Sequence, residues 1–180
     1  FIGGLAGDAI TTADDNVAVG YLALSANTTG GNLTAVGKGA LAANTTANDN
    51  TGIGLRALGA ATTGASNTAV GFAAGGAVTT GINNTLIGGL AGDALTVGNA
   101  NVAVGGATLS SDTMGDRNVA VGYAALETQN FTTSTDSYNT AVGYVAGNAI
   151  TTGIENVLIG GAAGDALTDA DYNVAIGQAA

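Results

Sequence analysis

The stretch Asn118-Val119-Ala120-Val121-Gly122 decides the reading of this chain, because it keeps coming back. It recurs as Asn16-Val17-Ala18-Val19-Gly20, Asn67-Thr68-Ala69-Val70-Gly71, Asn101-Val102-Ala103-Val104-Gly105, Asn139-Thr140-Ala141-Val142-Gly143 and Asn173-Val174-Ala175-Ile176-Gly177. Looser copies are Asn50-Thr51-Gly52-Ile53-Gly54, Asn84-Thr85-Leu86-Ile87-Gly88 and Asn156-Val157-Leu158-Ile159-Gly160. The closing glycines are Gly3, Gly20, Gly37, Gly54, Gly71, Gly88, Gly105, Gly122, Gly143, Gly160 and Gly177. Nine of their ten spacings are 17 residues and one is 21. A fixed period this short marks a solenoid, whose repeats bury a face only by stacking on their neighbours.

Position within the repeat then assigns faces. The residue before each closing glycine is Val or Ile throughout, as in Val19, Val70, Val121 and Ile176, and the residue three before it is Val or Thr. Both types favour strands. Alternation puts the two columns on one face, which this reading assigns to the inside of each coil. The column between them is mostly alanine (Ala18, Ala69, Ala103, Ala120, Ala141). Together with the closing glycine it would point outward, and so small a face suggests a seam where another chain packs. On this assignment Val121→Asp unfolds several coils.

Four residues after the glycine stands Gly or Leu, then mostly Ala two further on, then mostly Thr after another two. That spacing predicts a second strand with these residues inward, and with Asp8, Ser25, Ala42, Gly59 and Asn148 outward. Polar stretches such as Gly64-Ala65-Ser66-Asn67 and Gly115-Asp116-Arg117-Asn118 supply the turn. The expected architecture is all-β, a parallel β-solenoid with 17-residue coils and two short strands per coil. It would form a single repeat domain over 1–180, of about ten and a half coils. The chain starts and stops in mid-repeat, so a segment of a longer chain is expected. The 21-residue repeat carries its extra residues between Phe131 and Tyr138, which predicts a bulging loop and an unbroken core. Leu33 interrupts the asparagine column. Phe1 stands where Leu86 and Leu158 stand, and Gly-type and Leu-type coils should differ in thickness. In-register stacking predicts asparagine and threonine ladders.

Composition narrows the functions. Hydrophobic residues make up 46%, yet alanine is abundant and there are 31 glycines, so the core must be thin. There is no histidine, cysteine or proline. No credible nucleophile–base pair or thiolate metal site can be assembled, so no enzyme, cofactor or metal is expected. The net charge is −10, with Lys38, Arg56 and Arg117 as the cations, which argues against nucleic acid and anionic lipid. No run of about 18 apolar residues is present, so membrane insertion by a helix of this segment is not expected. Gly88-Gly89-Leu90-Ala91-Gly92 lacks the lysine and hydroxyl of a phosphate loop. Asp14 with Asp15, and Asp169 with Asp171, read as solvated turn residues before calcium ligands. Tyr21, Phe72, Tyr123 and Tyr144 follow closing glycines and are candidate surface contacts. They either stack on a sugar or pack against a turn or a neighbouring chain.

The pattern Asn-Val/Thr-Ala-Val/Ile-Gly-x-x-Ala resembles the head repeats of trimeric autotransporter adhesins and the similar repeats of phage tail-fibre proteins, over essentially the whole chain. The 17-residue coil is longer than is common in those heads. The resemblance implies a left-handed parallel β-roll and a homotrimeric, fibre-like assembly with the alanine and glycine face as its seam. The expected function is therefore that of a structural, adhesive fibre segment at a bacterial cell surface or on a virion. It would be extracellular, with partners of its own kind and a host-surface glycan or protein. A second expectation is a self-assembling extracellular filament or matrix protein with coils stacked end to end between molecules.

Overall fold

A computed structural model, which describes residues 2–180, turns each closing pentapeptide into a short strand. The strands are β1 (Val17–Val19), β2 (Thr34–Val36), β3 (Thr51–Ile53), β4 (Thr68–Val70), β5 (Thr85–Ile87), β6 (Val102–Val104), β7 (Gly115–Asp116), β8 (Val119–Val121), β9 (Thr135–Asp136), β10 (Thr140–Val142), β11 (Val157–Ile159) and β12 (Val174–Ile176). Ten of them form one parallel sheet in the order β1-β2-β3-β4-β5-β6-β8-β10-β11-β12, and β7 pairs with β9. Register is one whole repeat: Ala103 lies opposite Ala120, and Ala120 opposite Ala141. Ile2 bridges to Val19 ahead of β1. The chain is thus an all-β parallel β-solenoid. Phe1, matched above to Leu86, lies outside the described residues.

The closing glycines set the stacking. Gly20 has φ +133° and Gly71 φ +141°, a region that L side chains avoid. A Cβ on Gly20 would stand 2.6 Å from the Gly37 carbonyl oxygen, and Gly37 meets Gly54 in the same way. Backbone touches backbone along the column from Gly3 to Gly160, so no other residue fits there.

The structure inverts the expected faces. The alanine column is the core: Ala18, Ala35, Ala69, Ala103, Ala120 and Ala141 are buried. The Val/Ile and Val/Thr columns lie on the outer face, half-buried to exposed, with Ile53, Ile87 and Ile159 each 39% exposed. Side-chain preference identified the strand, but the distance between walls decided which side is in. Opposite the sheet stand leucines and alanines of the second segment. The inward residue of the strand is mostly alanine, and the buried exceptions Leu86 and Leu158 reach into the room left by Gly75 and Gly92 and by Gly147 and Gly164.

The second segment also pairs coil to coil. Leu24, Ala26 and Thr28 donate their N–H groups to the carbonyls of Ala40, Ala42 and Thr45 at 3.1, 3.1 and 2.9 Å. Its inward positions are shifted from the expected ones, because Leu22 (φ +60°) and Leu24 (φ +54°) take left-handed conformations that break simple alternation. The Gly/Leu column does point in. Its partner is the column three residues later (Asn27, Asn44, Ala61, Val78, Leu95, Asp112, Gln129, Ile150), while the expected Ala and Thr columns are largely half-buried.

These two columns compensate one another. Coils with Leu24, Leu41, Leu58, Leu109 or Leu126 carry a small or polar partner, namely Asn27, Asn44, Ala61, Asp112 or Gln129. Coils with Gly75, Gly92 or Gly147 carry Val78, Leu95 or Ile150 instead. The room left at Gly92 is taken by neighbours: a Cβ there would stand 2.8 Å from Leu86 Cδ2 and 2.9 Å from Leu95 Cδ1. Gly-type and Leu-type coils therefore trade volume across the core, and the sheet register runs on unchanged.

Asparagine ladders hold the polar corner. The Asn67 N–H donates to Asn50 Oδ1 at 2.8 Å, and Asn67 Nδ2 donates to the Gly81 carbonyl at 2.8 Å. Asn84 repeats the pattern on Asn67, Asn101 on Asn84, and Asn156 on Asn139. Each buried amide is thereby satisfied on both its atoms. At Leu33 the ladder is interrupted, and the Ala47 carbonyl that an asparagine there would bind is taken by Asn44 Nδ2 at 3.1 Å. Asn44 Nδ2 also donates to Asn27 Oδ1 at 2.9 Å. The threonine ladder runs differently from a hydroxyl-to-hydroxyl chain: Thr28 Oγ1 donates to the Thr45 carbonyl at 3.0 Å, and Thr79 Oγ1 to the Thr96 carbonyl at 3.0 Å.

The longer repeat behaves as expected. β8 pairs directly with β10, so the core is continuous. The inserted stretch forms β9, which pairs with β7 of the preceding coil, and a loop closed by buried Phe131 and Ser137.

Because the coil of Ala120 is already filled by buried Leu126 and Gln129, Ala120→Leu is expected to cost about 1–3 kcal/mol through overpacking. Val121→Thr, on the outer face, is expected to cost about 0.5 kcal/mol or less. Urea midpoints of the two variants check the assignment, and the reverse ranking refutes it.

Candidate functional site

The outer face of the sheet presents β-branched side chains along its whole length. Register stacking turns Val19, Val36, Ile53, Val70, Ile87, Val104, Val121, Val142, Ile159 and Ile176 into one continuous column. A second column of Val and Thr runs beside it, from Val17 through Thr85 to Val174. On a strand spacing of about 4.8 Å, ten strands make a strip roughly 43 Å long. A β-branched strip of this length facing outward is unusual on a soluble surface.

The four aromatic residues singled out in the sequence all stand exposed just beyond the closing glycines. The Tyr21 ring leans over Gly4, and the Tyr123 ring over Gly106. Tyr144 stacks on Tyr123 with centroids 5.8 Å apart and planes 14° from parallel. Phe72 shares the column and is solvent-exposed. The Lys38 ammonium lies 5.9 Å from the Tyr21 ring centre. The structure brings Tyr123 and Tyr144 together and keeps Tyr21 and Phe72 apart from them.

Two acids carry perturbed titrations. Asp112 is buried beneath the long repeat. Burial pushes its carboxyl up from the ordinary aspartate range, and hydrogen bonds hold it back in part. Gln129 Nε2 donates to Oδ2 at 2.6 Å, and the amides of Gly115 and Phe131 donate to Oδ1 at 3.0 and 3.2 Å. Gln129 Oε1 in turn accepts from Asn139 Nδ2 at 2.8 Å, which ties the network to the asparagine ladder. Asp116 accepts from Ser134 Oγ at 2.7 Å and from the Asn99 amide at 2.6 Å. Above it Arg117 pairs with Asp136. Asp93 is likewise pushed up by burial, against a pull from its own backbone amide, and its Oδ1 is buried with no hydrogen-bond partner among the described residues. The sequence reading missed both acids as special. The signal for Asp112 was there, in a column that mirrors the Gly/Leu column.

Among the described residues, no group of three or more His, Cys, Asp or Glu side chains could hold a metal. Among the same residues no helix is long and apolar enough to cross a membrane. Comparison with known proteins returned no match to a family model, to a curated protein or to a solved structure. The functional reading therefore rests on geometry.

The sign of the Asp112 effect follows from linkage. Its folded pKa is raised, so its contribution to stability is complete below the ordinary aspartate pKa and is lost as pH rises through the folded value. The stability of the wild type minus that of Asp112→Asn should therefore fall as pH is raised from about 3 to 7. Urea titrations of both proteins across that range measure it, and a constant difference would contradict the assignment.

Proposed function

We propose that this chain is a structural and adhesive segment of an extracellular fibre, as in trimeric autotransporter adhesin heads or phage tail fibres, and that copies assemble side by side as a homotrimer. One observation carries the reading: the unbroken Val/Ile column on the outer face of the sheet. Association removes those half-exposed side chains from water, at roughly 25 cal/mol per Å² of apolar area. The seam is this β-branched face and not the alanine face, which is filled from within.

The rest of the molecule supports a mechanical role. Load along the rod is shared by strand ladders, the glycine column and satisfied asparagine amides. The negative charge keeps such rods from clumping, and it disfavours nucleic acid and anionic lipid as partners. Adhesion to a host-surface glycan or protein, at a bacterial surface or on a virion, would gain strength from the many parallel copies in a fibre. A reaction centre is no part of this proposal.

Sedimentation equilibrium tests it. The wild type should run as three chains of 17.0 kDa each. Val70→Lys with Val104→Lys should give a monomer with an unchanged circular dichroism spectrum, because both side chains lie on the outer face. A monomeric wild type would refute the proposal. An open series of lengths would favour an end-to-end filament instead.

A further inference from the structure

A groove of about 550 Å³ runs along the rod on a different side from the strand face, in the second segment. Its floor is Gly39, Ala42, Gly59, Ala60, Ala73, Gly76 and Ala77, and Leu22, Lys38, Arg56 and Asp93 stand at its edges. The groove exists because of one local change in composition. Five residues after the closing glycine, other coils carry Asp8, Ser25, Asp93, Ser110, Glu127, Asn148 and Asp165. Three consecutive coils carry Ala42, Gly59 and Gly76 there instead. Beside these three coils stand two of the chain's three cations.

The charges at the groove are unspent. Arg117 pairs with Asp136, whereas among the described residues neither Lys38 nor Arg56 has an acidic partner. The Arg56 N–H donates to the Lys38 carbonyl at 3.0 Å, so the two cations sit on adjacent coils. The Arg56 stem lies against Gly39 and Gly59. At the far end stands Asp93, whose Oδ1 is buried without a hydrogen-bond donor among the described residues. The Lys38 ammonium lies near the Tyr21 ring, which is outside the groove lining.

The geometry points to a binding site for a short acidic oligosaccharide, a chain of uronate-type sugars, lying along this groove. Lys38 and Arg56 would take its carboxylates, and Asp93 would accept from a sugar hydroxyl. The alanine methyls would lie against the apolar faces of the rings. From Leu22 to Asp93 the groove crosses about four coil steps, roughly 19 Å on the strand spacing. That suits a linear ligand of several units.

A peptide fits less well, because strand-like docking needs free N–H and C=O groups. Here the amides are already used: Ala42 donates to Gly39 at 3.3 Å, Gly59 to Arg56 at 3.0 Å, Gly76 to Ala73 at 2.9 Å and Ala77 to Asp93 at 3.0 Å. A sugar makes no such demand. The site is complete within one chain and does not depend on self-association.

The test is calorimetric titration of the whole chain with a uronic acid tetramer and with its carboxyl-reduced, neutral counterpart of the same linkage. The acidic tetramer is expected to bind with a Kd of about 1 mM or tighter, and the neutral one about tenfold more weakly. Arg56→Gln should lose about tenfold for the same tetramer. Gly59→Glu fills the floor and should abolish binding; Glu127 occupies the equivalent place in another coil, and a melting curve confirms the fold. Val70→Lys with Val104→Lys should bind as the wild type does, whatever its assembly state. No saturable binding at about 10 mM, an unaffected Arg56→Gln, or equal affinity for a tetraglutamate peptide would each overturn the proposal.

Discussion

Everything in this fold depends on glycine backbone lying against glycine backbone. At Gly20, Gly37, Gly54 and onward the chain turns with a positive φ, and the next coil sits so close that a side chain has no place. That contact fixes both the distance and the phase between coils. Once the phase is fixed, like residues face like residues, and the strand ladder, the asparagine ladder and the threonine ladder follow. A single slip of register would push a Cβ into a carbonyl at every level.

The narrowness that glycine permits explains which face is buried. The coil's interior takes methyl groups from most strands, or Leu86 and Leu158 where the opposite wall is glycine, and one or two larger side chains from that wall. Valine and isoleucine, favoured in strands for their backbone preference, are displaced to the outside. This leaves the rod with a core filled from within and a β-branched strip on its outer face. A solenoid stabilised from within can spend its outer strip on assembly.

The repeat is most informative where it breaks. Leu33 leaves the asparagine ladder, and Asn44 supplies the missing donor from another column. The four-residue insertion brings Asp112, Gln129 and Asn139 into one buried network, at the cost of a carboxylate held out of water. Three coils shed their side chains and open a groove between cations. In each case the glycine column continues undisturbed, so variation is tolerated wherever backbone stacking does not require a particular residue.

The sequence by itself determined the period, the parallel register, the strand positions, the asparagine ladder and the placement of the insertion. Each follows from strict repetition of glycine, asparagine and β-branched residues at fixed offsets. The exposed aromatic column was legible too, since its members follow an obligatory turn. Only the tertiary structure decided which way Ala120 and Val121 point. Alternation says that they face opposite sides, but not which side is closed, and that depends on how near the far wall stands. It also decided that Asn44 and Asp112 lie inside, because the left-handed residues at Leu22 and its equivalents shift the inward phase by an amount that two-residue counting does not anticipate. And it placed Lys38, Arg56 and Asp93 around one groove, since residues 17 or more positions apart in sequence become neighbours only when coils stack.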